Sequence, residues 1–189
     1  MIRTAREAKS PLSLVEQVEK LNTERKIAMA TRIEEAAGGS VRDKTIAVLG
    51  TTFKPNTGDM REAPSLVILP LLQAKGARIR ARDPQGQTNG ADLLPEVDWC
   101  DSMLQAARDA DLLVVLTEWN EFRAVDLREI RSVMRGNVLV DLRNVYSETL
   151  AHAAGFLYWG IGVSKVARAA NGSAPQSRRK DSAEMTSFI

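Results

Sequence analysis

The sequence predicts an α/β protein: one long helix, then a parallel sheet of about five or six strands with helices on both faces. Two observations predict it. From Lys44 onward, short apolar runs alternate with helix-period segments, which is the pattern of βαβ units. Before that, residues 11–37 keep an apolar repeat at three- and four-residue steps, with no strand between.

The long helix is carried by Leu14, Val15, Val18, Leu21, Ile27, Ala28 and Ile33. Ser10 can cap it, Pro11 fits its first turn, and Gly38-Gly39 ends it. At ~1.5 Å per residue it is roughly 40 Å long, more than a small domain needs. Such a helix joins a domain to another domain or to a partner chain. Strands are expected at Thr45–Leu49, Ala77–Ala81, Leu112–Thr117, Val138–Asp141 and Phe156–Ile161. Helices are expected at Pro64–Lys75, Ser102–Asp109, Val125–Arg135 and Ser147–Ala154, three of them stopped by Gly76, Gly136 and Gly155. Right-handed crossovers leave few topologies, and a Rossmann-like order 3-2-1-4-5 is expected. From Asn171 the composition turns to Ser, Arg, Lys, Gln and Gly, which predicts a disordered tail. The chain thus divides into a helix (1–40), a sheet domain (41–165) and a tail (166–189).

A net charge of +2 is too small to argue for a nucleic-acid or anionic-membrane partner. No apolar run approaches the ~18 residues of a membrane span, and the first ten residues lack the apolar core of a secretory signal. A single cysteine, Cys100, excludes an internal disulfide and a cysteine-based metal site. These features predict a cytoplasmic soluble protein.

Ligands of parallel α/β sheets sit beyond the carboxyl ends of the strands. The most informative such end is KTIAVLGTTFKPNTGDMR, residues 44–61, where an apolar strand stops at Gly50 and opens into a loop with Lys54, Asp59 and Arg61. A strand, polar loop and helix start in that order suit an anion, which backbone N–H groups and the helix dipole attract. The spacing is neither G-x-G-x-x-G nor a loop ending in G-K-[ST]. Lys54 and Arg143 could bracket a phosphate, the arginine through its planar fork, although Lys54 and Arg61 also suit a solvated loop. Asp83 closes the second strand where dinucleotide folds place a ribose-binding acid, but Asp83-Pro84 also reads as a turn. Asp141 can cap its loop or pair with Arg143. Trp119 and Phe122 are expected to pack the loop down, with stacking on a base the alternative. His152 lies away from these loops, and Cys100 reads as a small apolar filler.

Residues 45–162 resemble the carboxyl-terminal domain of the UDP-glucose/GDP-mannose dehydrogenase family. Five motifs in order carry the resemblance: VLGTTFKPNTGDMREAPS (48–65), ARDPQG (81–86), ADLLVVLTEWNEFRAVDL (110–127), VLVDLRNVY (138–146) and AGFLYWGIG (154–162). Residues 1–44 resemble the helix that joins the family's two domains. The resemblance implies oxidation of a sugar C6 hydroxyl to a carboxylate by two NAD⁺, through a thiol-bound intermediate. It further implies that this domain binds the nucleotide half of UDP-glucose or a related UDP-sugar, that Phe53, Lys54 and Arg143 contact the substrate, and that Arg61 reaches NAD⁺. The long helix is implied to make dimer contacts. The family's cofactor-domain glycine fingerprint and catalytic cysteine motif do not occur in these residues. The expectation is therefore a carboxyl-terminal part with no catalytic residue of its own, inactive alone.

Overall fold

The computed structural model describes residues 13–162, so Ser10, Pro11 and the expected tail lie outside the described residues. Helix α1 (Ser13–Ala36) leads into β1 (Thr45–Leu49), α2 (Ser65–Ala74), β2 (Arg78–Arg82), α3 (Gly86–Gly90) and β3 (Asp98–Trp99). The chain continues through α4 (Met103–Ala107), β4 (Leu112–Val115), α5 (Asn120–Ala124) and α6 (Leu127–Val133) to β5 (Val138–Asp141), α7 (Glu148–Ala153) and β6 (Leu157–Gly160).

The six strands form one all-parallel sheet in the order β3-β2-β1-β4-β5-β6. Residues 46–49 and all of β4 are fully buried, because these central strands are covered on both faces. Alternate residues divide between two cores. Ile46, Val48, Leu112 and Val114 meet α1 and α2 on one face. Ala47, Leu49, Leu113 and Val115 meet α4, α5, α6 and α7 on the other.

The expected order differs in one respect. Over the five strands read from the sequence, the neighbour order is 2-1-3-4-5, with Leu112–Val115 beside β1 rather than at the edge. The order 3-2-1-4-5 appears only when the two-residue β3 is counted. Asp98 and Trp99 pair with Arg80 and Ala81, a run too short to show a period in the sequence.

Helix α1 is docked by its carboxyl-terminal half only. Ala30, Ile33 and Ala36 are buried against α2 and the sheet. Arg32 donates from Nη2 to the Gly160 carbonyl, and its guanidinium lies 5.9 Å from the Trp159 ring centroid. Lys26 pairs with Glu62 at 3.4 Å, tying the helix to the loop after β1. Val18, Leu21 and Ile27 are 49, 57 and 46% exposed. The apolar repeat is therefore two surfaces rather than one stripe. At 100° per residue Ile33 lies about 120° around the helix from Leu21, and it belongs to the core. Among the described residues no helix is long and apolar enough to cross a membrane.

Candidate functional site

The carboxyl edge of the sheet is organised by one carboxylate. Asp83, 2% exposed at the end of β2, accepts at Oδ2 from the backbone N–H groups of Thr51 (2.6 Å) and Thr52 (3.0 Å). The hydroxyls of Thr51 and Thr52 and the Trp119 indole N–H reach the same oxygen at 3.3, 3.1 and 3.3 Å. Oδ1 accepts from the N–H groups of Gln85 (3.0 Å) and Gly86 (2.6 Å). Loops after β1, β2 and β4 thereby converge on a single buried anion, which backbone and indole N–H donors stabilise in place of water. Gly50 makes the convergence possible. Its φ is +82°, and a Cβ there would lie 2.5 Å from the Thr117 Cβ, a contact that only glycine avoids. The Thr117 hydroxyl donates to the Thr52 carbonyl at 2.7 Å and closes the gap between β1 and β4. This is where the strand order reverses, the position at which open α/β sheets bind ligands.

The four residues singled out as ligand contacts have different surroundings. Phe53 is 48% exposed, its backbone N–H held by the Asp59 carbonyl at 3.0 Å. Lys54 is exposed and makes no hydrogen bond or ion pair among the described residues; it acts on Asp59 only through its charge. Arg143, just beyond β5, is engaged: Nε and Nη2 both donate to the Glu118 carboxylate, the second at 2.9 Å. Arg61 is engaged as well, by Asp59, with Nε and Nη2 each at 2.9 Å from a carboxylate oxygen. The structure therefore places Lys54 and Arg143 on loops whose strands stand one strand apart, about 10 Å at their bases; of these two cations Arg143 is paired, and Lys54 has no partner among the described residues.

The remaining sequence candidates resolve as structural. Asp83 is fully occupied by chain donors and has no lone pair for a ribose. Asp141 is buried and takes N–H bonds from Arg143 (3.0 Å) and Tyr146 (2.9 Å) and the Tyr158 hydroxyl (3.3 Å), so it caps its loop. Burial pushes its carboxyl above the usual range. Trp119 and Phe122 are 5% and 0% exposed and pack the loop as expected. Cys100 is buried and its thiol is pushed up by desolvation, the wrong direction for a nucleophile. His152 sits on α7 beside Glu148 at 3.8 Å, away from the strand-end loops. Sequence reasoning missed the pairing of Glu118 with Arg143, the helix α3 and the bond from Asn89 Nδ2 to the Gly58 carbonyl (2.8 Å) that braces the β1–α2 loop.

A dinucleotide cradle uses the first N–H groups after β1 to hold a pyrophosphate. Here Thr51 and Thr52 have given those groups to Asp83. Among the described residues the end of β1 therefore leaves no such cradle for a dinucleotide. The edge instead presents an aromatic ring, a free lysine and a clamped arginine around a closed strand junction.

The six-stranded parallel sheet with helices on both faces is a Rossmann-like α/β domain. Residues 47–148 match the UDP-binding domain of the UDP-glucose/GDP-mannose dehydrogenase family, and the chain belongs to that family. It is 44% identical over 162 residues to a UDP-glucose 6-dehydrogenase of Rhizobium meliloti, covering 86% of this chain and 37% of that protein. A UDP-glucose 6-dehydrogenase of Pseudomonas aeruginosa is 39% identical over 168 residues, with 86% and 37% covered. Among solved structures, a UDP-glucose dehydrogenase from Pyrobaculum islandicum superposes with a TM-score of 0.64 at 26% identity, over 84% of this chain and 34% of that one. The chain thus spans about a third of the length of the relatives it matches.

Two outcomes follow from the geometry. Asp83→Asn puts an NH₂ against backbone N–H donors and should cost about 2–4 kcal/mol in denaturant unfolding; a loss below about 1 kcal/mol contradicts the organising role. Asp59 is held at about 2, well below its ordinary 3.8, first by the Arg61 side-chain hydrogen bonds and then by the Arg61 N–H. Because the folded value is depressed, the pair's contribution is present above 3.8 and is lost as pH falls through about 2. A carboxyl-carbon NMR titration should show this low midpoint, and Arg61→Ala should return it toward 3.8; an unmoved midpoint contradicts the pairing.

Proposed function

We propose that this chain is the part of a UDP-glucose 6-dehydrogenase that binds the nucleotide half of UDP-glucose. The observation that carries the reading is the family match over residues 47–148, which contains both the loop with the unpaired Lys54 and the strand end with Arg143. In this reading Phe53 lies against the substrate, and Lys54 and Arg143 hold its phosphates by charge-assisted bonds. Arg61, on the same loop, reaches NAD⁺. The complete enzyme takes the sugar C6 from alcohol to carboxylate, passing two hydrides to two NAD⁺, taking the second carboxylate oxygen from water and releasing protons, and yields UDP-glucuronate. The protein works in the cytoplasm. The 189-residue chain alone is inactive, because neither a cysteine nucleophile nor a dinucleotide cradle stands among its described residues, and mass action does not replace a covalent nucleophile.

Calorimetry tests the binding half. The chain should bind UDP saturably, and Lys54→Ala should weaken it by about 1.5–3 kcal/mol, the value of one contact to a charged group. UDP-glucose with NAD⁺ should give no NADH. Absence of saturable UDP binding, or equal affinity in Lys54→Ala, contradicts the assignment of Lys54.

An exposed face of α1 supports a homodimer through helix 11–37. Val18, Leu21 and Ala28 share one exposed face that soluble proteins seldom leave bare, and a two-fold contact would make it self-complementary. Sedimentation equilibrium should give twice the 20.8 kDa chain mass, and Leu21→Glu should return it to the monomer with the sheet still folded. A 20.8 kDa species at every concentration overturns the dimer.

A further inference from the structure

The geometry points to Glu118 as a positioning residue that presents Arg143 to the phosphates of the nucleotide; the inference rests on the substrate role proposed for Arg143. The two residues come from neighbouring strand ends. Glu118 follows Thr117, whose hydroxyl is fixed on the Thr52 carbonyl at 2.7 Å. Arg143 follows β5, its backbone N–H fixed on Asp141 at 3.0 Å. The bases of both side chains are thus anchored independently of each other, and the ion pair joins them across the edge.

The edge of the guanidinium that is used decides what remains. A guanidinium carries five N–H groups. Glu118 takes one on Nε and one on Nη2. Among the described residues no partner takes the two on Nη1 or the second on Nη2. The free one on Nη2 and one of those on Nη1 lie side by side along the outer end of the planar group, an edge that a phosphate can engage through two parallel bonds. The arginine side chain is 35% exposed and the glutamate 28%, so the pair is partly open to solvent. Glu118 therefore fixes the long, flexible side chain before the ligand arrives. The ordering entropy is then not charged to binding. The Arg143 hydrogen bonds also hold the Glu118 carboxyl below its usual range, which keeps the clamp ionised.

A carboxylate beside the phosphate site also opposes the anion. Salt does not screen charges closer than the Debye length of about 8 Å, but the Arg143 guanidinium stands between the two anions and attracts both, which offsets the repulsion. The bidentate geometry depends on ångström placement, and that is what Glu118 supplies.

Titration of the 189-residue chain with UDP and with uridine, followed by NMR, separates the alternatives. Glu118→Gln should weaken UDP about tenfold and leave uridine unchanged, so that the ratio of the two affinities falls. A merely structural role would weaken both alike, and that result overturns the proposal. Arg143→Lys, which keeps the charge and loses the fork, should lose UDP affinity to a similar extent; wild-type affinity in that variant also overturns it. If Arg143→Ala weakens UDP while Glu118→Gln binds as well as the wild type or better, Glu118 is a mask, and the proposal fails while the substrate reading stands. Unchanged UDP affinity in Arg143→Ala would remove Arg143 from the site, and the positioning role with it.

Discussion

The buried carboxylate of Asp83 is the interaction on which the carboxyl edge depends. The ends of β1, β2 and β4 all bring N–H groups to it, from Thr51, Thr52, Gln85, Gly86 and Trp119. A buried anion is tolerated only when fully hydrogen-bonded, so the three loops must reach it together. The same demand explains Gly50, which lets β1 and β4 approach, and Gly86, where a Cβ would press on Asp83 itself. It also redirects the chemistry of the fold. Amides that in a dinucleotide-binding sheet would face a pyrophosphate are turned inward. The side chains at this edge are instead those of Phe53, Lys54 and Arg143, the contacts proposed for the nucleotide.

Charge at that surface is sorted by pairing. Asp59 holds Arg61 and Glu118 holds Arg143, each by both carboxylate oxygens, while Lys54 stays unpaired. An exposed ion pair adds little stability, so these pairs matter more for where the arginines point than for holding the fold. The edge thus carries one ammonium with no partner among the described residues and two guanidinium groups whose side edges are already engaged.

Much of the fold was legible in the sequence. The central strands β1 and β4 are continuous apolar runs because both of their faces are buried. Gly76, Gly136 and Gly155 marked the turns after helices correctly. Strand β3 was not legible, because two residues carry no period. Helices α3 and α5 have five residues each, and α3 begins and ends in glycine, so neither gives a helical signal. The long helix was legible, but its apolar residues were merged into one stripe although Ile33 packs inward and Leu21 outward. At the edge, the loop of Lys54 stood out by composition. The partnerships did not, because Asp83 meets Thr51 across 32 positions and Arg143 meets Glu118 across 25. Hydrogen bonds over such separations leave no local pattern.

The central claim is that this carboxyl edge, at the point where the strand order reverses, is a nucleotide-binding surface. Amide chemical shifts followed during a UDP titration test it most directly. The account predicts saturable changes concentrated in residues 50–61, 117–120 and 141–144, with α1 and the amino ends of the strands unmoved. Shifts confined to other parts of the molecule, or none at saturating UDP, would contradict it.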